Sequence, residues 1–215
     1  LDAQKVTNRK WDPPEKASRP MSKEACGLIP SSGAGIVLLE NLESAELRGA
    51  RIYAEVLGGH VNCGACRDGG TMTAPSNIAV RQCITRAMRS AGVTFGDVDL
   101  INGHLTGTMA DKLEVKNWIQ LFETAGMPLP YIHSTKSLMG HPLTAAGSME
   151  VVACCLMLQG GFIHPSINCE DLIEEMEPYA DSIPRTAVKK DLDIILKSSF
   201  GFGDVNAALV LEKWE

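Results

Sequence analysis

Short apolar runs alternate along this chain with stretches of helical period, and that alternation restricts the available folds more than any other feature. The runs at 36–39, 52–57, 98–101, 131–133, 194–197 and 207–211 are each short enough for a strand. Helical patterns separate them. Residues 42–48 predict a short helix that stops at Gly49. Ser76 or Asn77 caps a longer one, in which Val80, Ile84, Ala87, Met88 and Ala91 recur at spacings of three and four before Gly92 ends it. Val115, Trp118, Ile119 and Phe122 form the buried stripe of a third, with Asp111 and Glu114 near its start, where carboxylates favour the dipole. Residues 145–159 are apolar nearly all round, which predicts a central helix. The order implies a layered α/β fold with a largely buried sheet, finished by a hairpin.

With 215 residues the chain suits one domain, read as 33–215 after an irregular connecting segment, 1–32, that contains Pro13, Pro14, Pro20 and Pro30. Apolar residues at 45% rule out intrinsic disorder, and aromatics at 5% leave the core to Ala, Val, Ile, Leu and Met. A net charge of −6 argues against a nucleic-acid binder. The longest apolar stretch, 151–158, falls short of the roughly 18 residues of a membrane span. No secretory core follows Leu1, and the missing initiator Met reads as a processed or excised piece of something longer. Seven cysteines, odd in number and irregular in spacing, fit a reducing cytoplasm better than a disulfide framework.

Three segments place glycines and polar groups just beyond strands: 102–108 (NGHLTGT), 134–141 (STKSLMGH) and 198–206 (SSFGFGDVN). Ligands converge on such loops in α/β sheets. A single His after a strand is ordinarily a hydrogen-bonded structural residue, but His104 and His141, each near Gly and Thr or Lys, weigh equally as a functional pair. Glu150 has Met149, Val151, Val152, Ala153 and Cys154 as neighbours, which reads either as a surface carboxylate or as a buried one. If buried it needs a partner, and Lys136 is the candidate. His60, Cys63 and Cys66 have ligand-like spacing without the second pair that structural zinc commonly takes. Glu170, Asp171, Glu174, Glu175 and Glu177 read as a solvated face.

Taken in order, these segments resemble the C-terminal half of the β-ketoacyl-acyl-carrier-protein synthases, condensing enzymes of the thiolase superfamily. The family's H-G-T-x-T is matched by His104-Leu105-Thr106-Gly107-Thr108, its K-S-x-x-G-H by Lys136-Ser137-Leu138-Met139-Gly140-His141, and its G-F-G-G-T-N by Gly201-Phe202-Gly203-Asp204-Val205-Asn206. Ser18-Arg19-Pro20 and Gly33-Ala34-Gly35 are also similar to the family. The resemblance implies a thiolase-like α/β half with a mixed five-stranded sheet, and no cofactor or metal. It implies an acyltransferase joining an acyl thioester to malonyl-acyl-carrier protein, with loss of carbon dioxide, in fatty-acid or polyketide/polyene synthesis. By the same carry-over His104 and His141 are the catalytic pair, Lys136 and Glu150 support them, and Phe202 is the gate whose N–H joins an oxyanion hole. Thr73, Thr106 and Thr108 would bind pantetheine. Leu105, Asp204-Val205 and Ser31-Ser32 depart from the pattern and point to a specialised branch.

None of the seven cysteines suits the nucleophile, which in the family comes from the N-terminal half. The expectation is therefore a second segment or partner chain, an acyl carrier protein as partner, and a homodimer or heterodimer in the cytoplasm, with neither membrane nor nucleic acid involved. Two other readings stand beside it: a non-catalytic, chain-length-determining partner subunit, and an unrelated α/β module with a Cys/His metal site.

Overall fold

The computed structural model describes residues 1, 4–10 and 13–214. In chain order its elements are α1 (Leu42–Leu47), β1 (Glu55–Cys63), α2 (Asn77–Ala91), β2 (Leu100–Asn102), α3 (Ala110–Thr124), β3 (Tyr131–His133), α4 (Lys136–Met139), α5 (Ala146–Gly160), β4 (Phe162–Ile163), β5 (Val188–Lys189), β6 (Ile194–Gly201) and β7 (Val205–Glu212). Local chemistry sets most boundaries. The Ser76 side chain accepts from Ala79 N–H to cap α2, and Gly92 ends that helix at φ +71°.

Five strands form a mixed sheet in the order β1-β7-β6-β2-β3. β6 and β2, and β2 and β3, run parallel, whereas β6–β7 and β7–β1 are antiparallel. Helices cover both faces, and strand alternation divides the core accordingly. Leu196, Phe200, Ala208 and Val210 face α2 and α3, where Ile84, Trp118 and Phe122 are buried. Ile195 and Leu211 face α5, with Cys154, Met157 and Leu158.

Three expectations need correction. Residues 36–39 are not a buried strand: they pair with no strand among the described residues, and Ile36 is 90% and Leu38 79% exposed. The segment is anchored instead just upstream, where the Gly33 and Gly35 backbone runs so close to Met149 and Ser148 that a Cβ would collide with them. β1 starts later than expected and extends through the polar residues His60 and Asn62, because backbone pairing with β7 holds it. α5 is not enclosed on all sides. Ala146, Glu150, Cys154, Met157 and Leu158 form one buried stripe, while Leu156 lies open on another side. By length and composition the stretch Leu143–Gly160 is apolar enough to cross a membrane, longer than the run read from sequence. In the fold it is a turn followed by a helix that packs on the sheet and buries a carboxylate.

β1 carries a bulge between Val56 and Gly58, and a Cβ at Gly58 would lie 2.6 Å from the Ala91 backbone nitrogen. Gly58→Ala should therefore force β1 and the end of α2 apart, destabilising the protein by about 1–3 kcal/mol. The check is a lowered urea midpoint at unchanged m-value; an unaltered midpoint would mean that this contact is soft.

Candidate active site

β3, β2 and β6 are adjacent and parallel, so the loops leaving their C-terminal ends emerge at one edge of the sheet. That geometry gathers the three segments singled out in the sequence. The rings of His104 and His141 meet edge to face with centroids 5.3 Å apart, and Phe200 stands 6.2 Å from His104. Leu143 N–H lies 3.1 Å from His141 Nδ1, which therefore accepts and leaves the imidazole proton on Nε2. Segment 1–32 also contributes here. His141 N–H donates to the Ile29 carbonyl at 2.7 Å, Ser31 N–H to the His141 carbonyl at 3.0 Å, and Ser18 Oγ to the Lys136 carbonyl at 2.6 Å.

Beneath the histidines lies a buried charge cluster. Lys136 Nζ donates to Glu150 Oε1 at 2.5 Å and to the His104 carbonyl at 2.6 Å. The predicted Lys136–Glu150 pairing is present, with Lys136 1% and Glu150 0% exposed. Sequence reasoning missed Lys197, whose Nζ is 2.8 Å from Glu150 Oε2. The signal was there: a lysine inside an apolar strand run, two residues from Ile195 and hence on the α5 face. Burial alone would raise the Glu150 pKa, but the Lys197 and Lys136 ammonium groups outweigh it and keep the carboxylate ionised. Burial, Lys136 and then His141 and Lys197 hold His104 well below the ordinary imidazole range. Burial, Lys136 and Lys197, opposed by Glu150, bring His141 down to about 4.

Asp111 and Glu114 do more than favour a dipole. Both are buried at the start of α3, and both face the His104 loop. Glu114 accepts from His104 N–H at 2.7 Å and Leu105 N–H at 2.8 Å; Asp111 accepts from Thr106 N–H at 2.8 Å, Gly107 N–H at 3.0 Å and Met21 N–H at 3.0 Å. This clamp holds Leu105 at φ +22°, a conformation that favours glycine, the residue the resemblance leads one to expect there. The Thr106 and Thr108 hydroxyls lie 3.0 Å apart on the same loop. A second buried network adjoins the site. Asn102 Nδ2 reaches His133 Nε2 and Thr135 Oγ1, both at 2.9 Å, and Thr135 Oγ1 lies 3.0 Å from His164 Nε2.

Phe202 stands at the tip of the β6–β7 turn, 48% exposed. Thr73 is beyond that turn, its neighbour Met72 accepting from Gly203 N–H at 2.9 Å. Asp204, fully buried, receives Ser76 N–H at 2.9 Å and Cys66 N–H at 3.2 Å on its carboxylate. Asp204 thus latches the turn to the 64–76 loop, where Gly64 leaves room for it: a Cβ there would lie 1.9 Å from Asp204 Oδ2. Among the described residues no three His, Cys, Asp or Glu side chains converge as metal ligands, and His60, Cys63 and Cys66 form no such group. All seven cysteines are unpaired. Burial pushes the thiols of Cys83 and Cys169 up to about 11, and raises Cys154 and Cys155 as well.

The profile of the family described as "Beta-ketoacyl synthase, C-terminal domain" matches residues 53–170. The chain belongs to the β-ketoacyl synthase family. It is 40% identical over 205 residues to a 3-oxoacyl-[acyl-carrier-protein] synthase 2 of Rhizobium meliloti (strain 1021), covering 94% of this chain and 47% of that protein. Over 214 residues it is 38% identical to 3-oxoacyl-[acyl-carrier-protein] synthase 1 of Escherichia coli (strain K12), covering 99% and 50%. The solved ishigamide ketosynthase/chain length factor aligns with TM-score 0.86 at 36% identity, over 96% of this chain and 48% of that one. A ketosynthase solved in complex with its type II PKS acyl-carrier protein gives 0.88 at 29% identity, over 100% and 52%. The fold is thus thiolase-like, as the resemblance implied, and the chain spans about half the length of the curated family members it matches.

Glu150→Gln should be strongly destabilising, since it leaves two buried ammonium groups with a neutral neighbour; breaking a buried ion pair commonly costs about 3–5 kcal/mol. Urea unfolding measures it, and an unchanged midpoint would refute the ion cluster. pH supplies a second test. His141 stays neutral in the fold down to about 4, whereas an ordinary imidazole titrates at 6.5, so the unfolded chain binds more protons in that window. Stability should therefore fall as the pH drops from 6.5 towards 4, and His141→Gln should reduce the slope. Urea midpoints taken across that range decide it.

Proposed function

We propose that this chain is the C-terminal half of a decarboxylating condensing enzyme that joins an acyl thioester to malonyl-acyl-carrier protein. The observation that carries the reading is the His104–His141 pair, 5.3 Å between centroids, held uncharged over the lysine–Glu150 cluster. Loss of carbon dioxide breaks the C–C bond to the malonyl carboxylate and moves its electron pair into an enolate. The enolate oxygen takes N–H bonds from two neutral imidazoles, with His141 Nε2 already carrying its proton. The enolate carbon then attacks the acyl thioester, the new C–C bond forms, and a cysteine thiolate leaves. In this reading Lys136 and Glu150 hold the His104 loop, Thr73, Thr106 and Thr108 bind the pantetheine arm, and Phe202 gates the site.

The nucleophile comes from a second segment, supported by the raised thiols of the four cysteines above and by the half-length match to the family. That segment covers exposed 36–39 and the open side of α5, which together leave Ile36, Leu38, Leu39 and Leu156 in solvent. Residues 33–215 then form the ketosynthase unit and 1–32 the connection to it. An acyl carrier protein is the substrate-bearing partner, a dimer of ketosynthase units the assembly, and the cytoplasm the setting. Likeness to a ketosynthase/chain length factor favours one other reading, a subunit that shapes the acyl tunnel without chemistry.

His104→Ala and His141→Ala separate the two. In the assembled enzyme each should lower release of carbon dioxide from malonyl-carrier by about 100- to 1000-fold, as loss of one oxyanion donor commonly does. Acyl transfer to the nucleophile, assayed separately, should suffer less. Near-normal decarboxylation in either variant would favour the tunnel-shaping subunit.

A further inference from the structure

Glu150 faces more positive charge than one lysine supplies. Lys136 occupies Oε1 at 2.5 Å and Lys197 stands 2.8 Å from Oε2, with all three side chains at most 3% exposed. Lys197 arrives there by strand alternation, and its Nζ also meets Ser199 Oγ at 3.0 Å and the Ser198 carbonyl. Two ammonium groups on one buried carboxylate leave a positive excess, which polar interiors tolerate only with specific compensation. The next carboxylate, Glu114, is committed to the backbone N–H groups of His104 and Leu105.

We propose that Lys197 is a second positioning residue of the condensation site: by sharing Glu150 it fixes how Lys136 is held against the His104 carbonyl, and its ammonium sets the positive field around the histidine pair. The inference rests on the condensing reading of that pair. The groups facing it from each packed element are Lys136 of α4, Glu150 and Cys154 of α5, Glu114 of α3, and the neighbouring His133 and His164. Burial holds Cys154 as the thiol and both of those histidines neutral, and raises the Glu114 pKa, so around the histidine pair the field is set by the two lysines against Glu150. Removing Lys197 leaves Lys136 and Glu150 as a balanced pair, and an imidazolium at His141 becomes easier to form.

The experiment uses the full-length protein, wild type beside Lys197→Met and Lys197→Arg, with isotope-labelled imidazoles. His141 is titrated by NMR, and carbon dioxide release from malonyl-carrier is followed against pH. Lys197→Met should raise the His141 midpoint by about one pH unit, and the acid limb of the rate profile should move the same way. Lys197→Arg, which keeps the charge, should leave both in place. Should the Met variant fail to fold, Lys197→Gln retains hydrogen-bonding capacity towards Ser198 and Ser199 and reports the same shift. An unmoved His141 midpoint in the neutral variant, or an equal shift in the Arg variant, overturns the role of Lys197. A wild-type enzyme without decarboxylation overturns the condensing reading instead, leaving the titration to judge the lysine by itself.

Discussion

A fully buried carboxylate on a helix is expensive to desolvate, and Glu150 is accommodated because two ammonium groups meet it from different directions. One comes from α4 at the end of β3, the other from the middle of β6. The same interaction therefore ties α5 to the central strand and to the loop bearing His141, while the Lys136 bond to the His104 carbonyl brings in the loop after β2. Fold and site share one set of contacts. The imidazoles sit where packing removes water, which is the main reason they stay neutral, and the lysines of the cluster add to it.

Sheet order supplies the other half of the arrangement. Parallel neighbours point their C-terminal ends the same way, so residues far apart in the chain reach one edge without any long-range loop. The loops there are short and need restraint, which Asp111 and Glu114 provide by accepting successive backbone N–H groups. Leu105 shows how firm that restraint is, since it stays at a φ that leucine rarely adopts. Asp204 fulfils the same role for the β6–β7 turn. Leu105 and Asp204 are thus each held by specific contacts.

The α5 side is unfinished. Among the described residues no strand lies beside the apolar segment at 36–39, and α5 leaves Leu156 in solvent. A surface of that kind is characteristic of an interface, and a second ketosynthase half is the occupant proposed for it. Under that proposal the second half packs on the α5 side, next to the buried Glu150 cluster.

Local pattern alone was enough for four of the five α-helices, α4 being the exception, because residues such as Ser76, Gly49 and Gly92 act on the backbone within a few residues of themselves. It was also enough to place the histidines in glycine-bearing loops and to pair Lys136 with Glu150, since an acid in an apolar helix needs a nearby base. Tertiary structure decided the rest. Whether an apolar run such as 36–39 becomes a strand depends on a neighbour to pair with, and β1 could begin late and run through polar residues because it has one in β7. Lys197, Asp111, Glu114 and Asp204 acquire meaning only from partners 47, 5, 10 and 128 residues away, in Glu150, Thr106, His104 and Ser76. Side-chain periodicity reports which face a residue takes; it carries no information about which charge or N–H lies across the packed layer, and that is what makes these four residues part of the site.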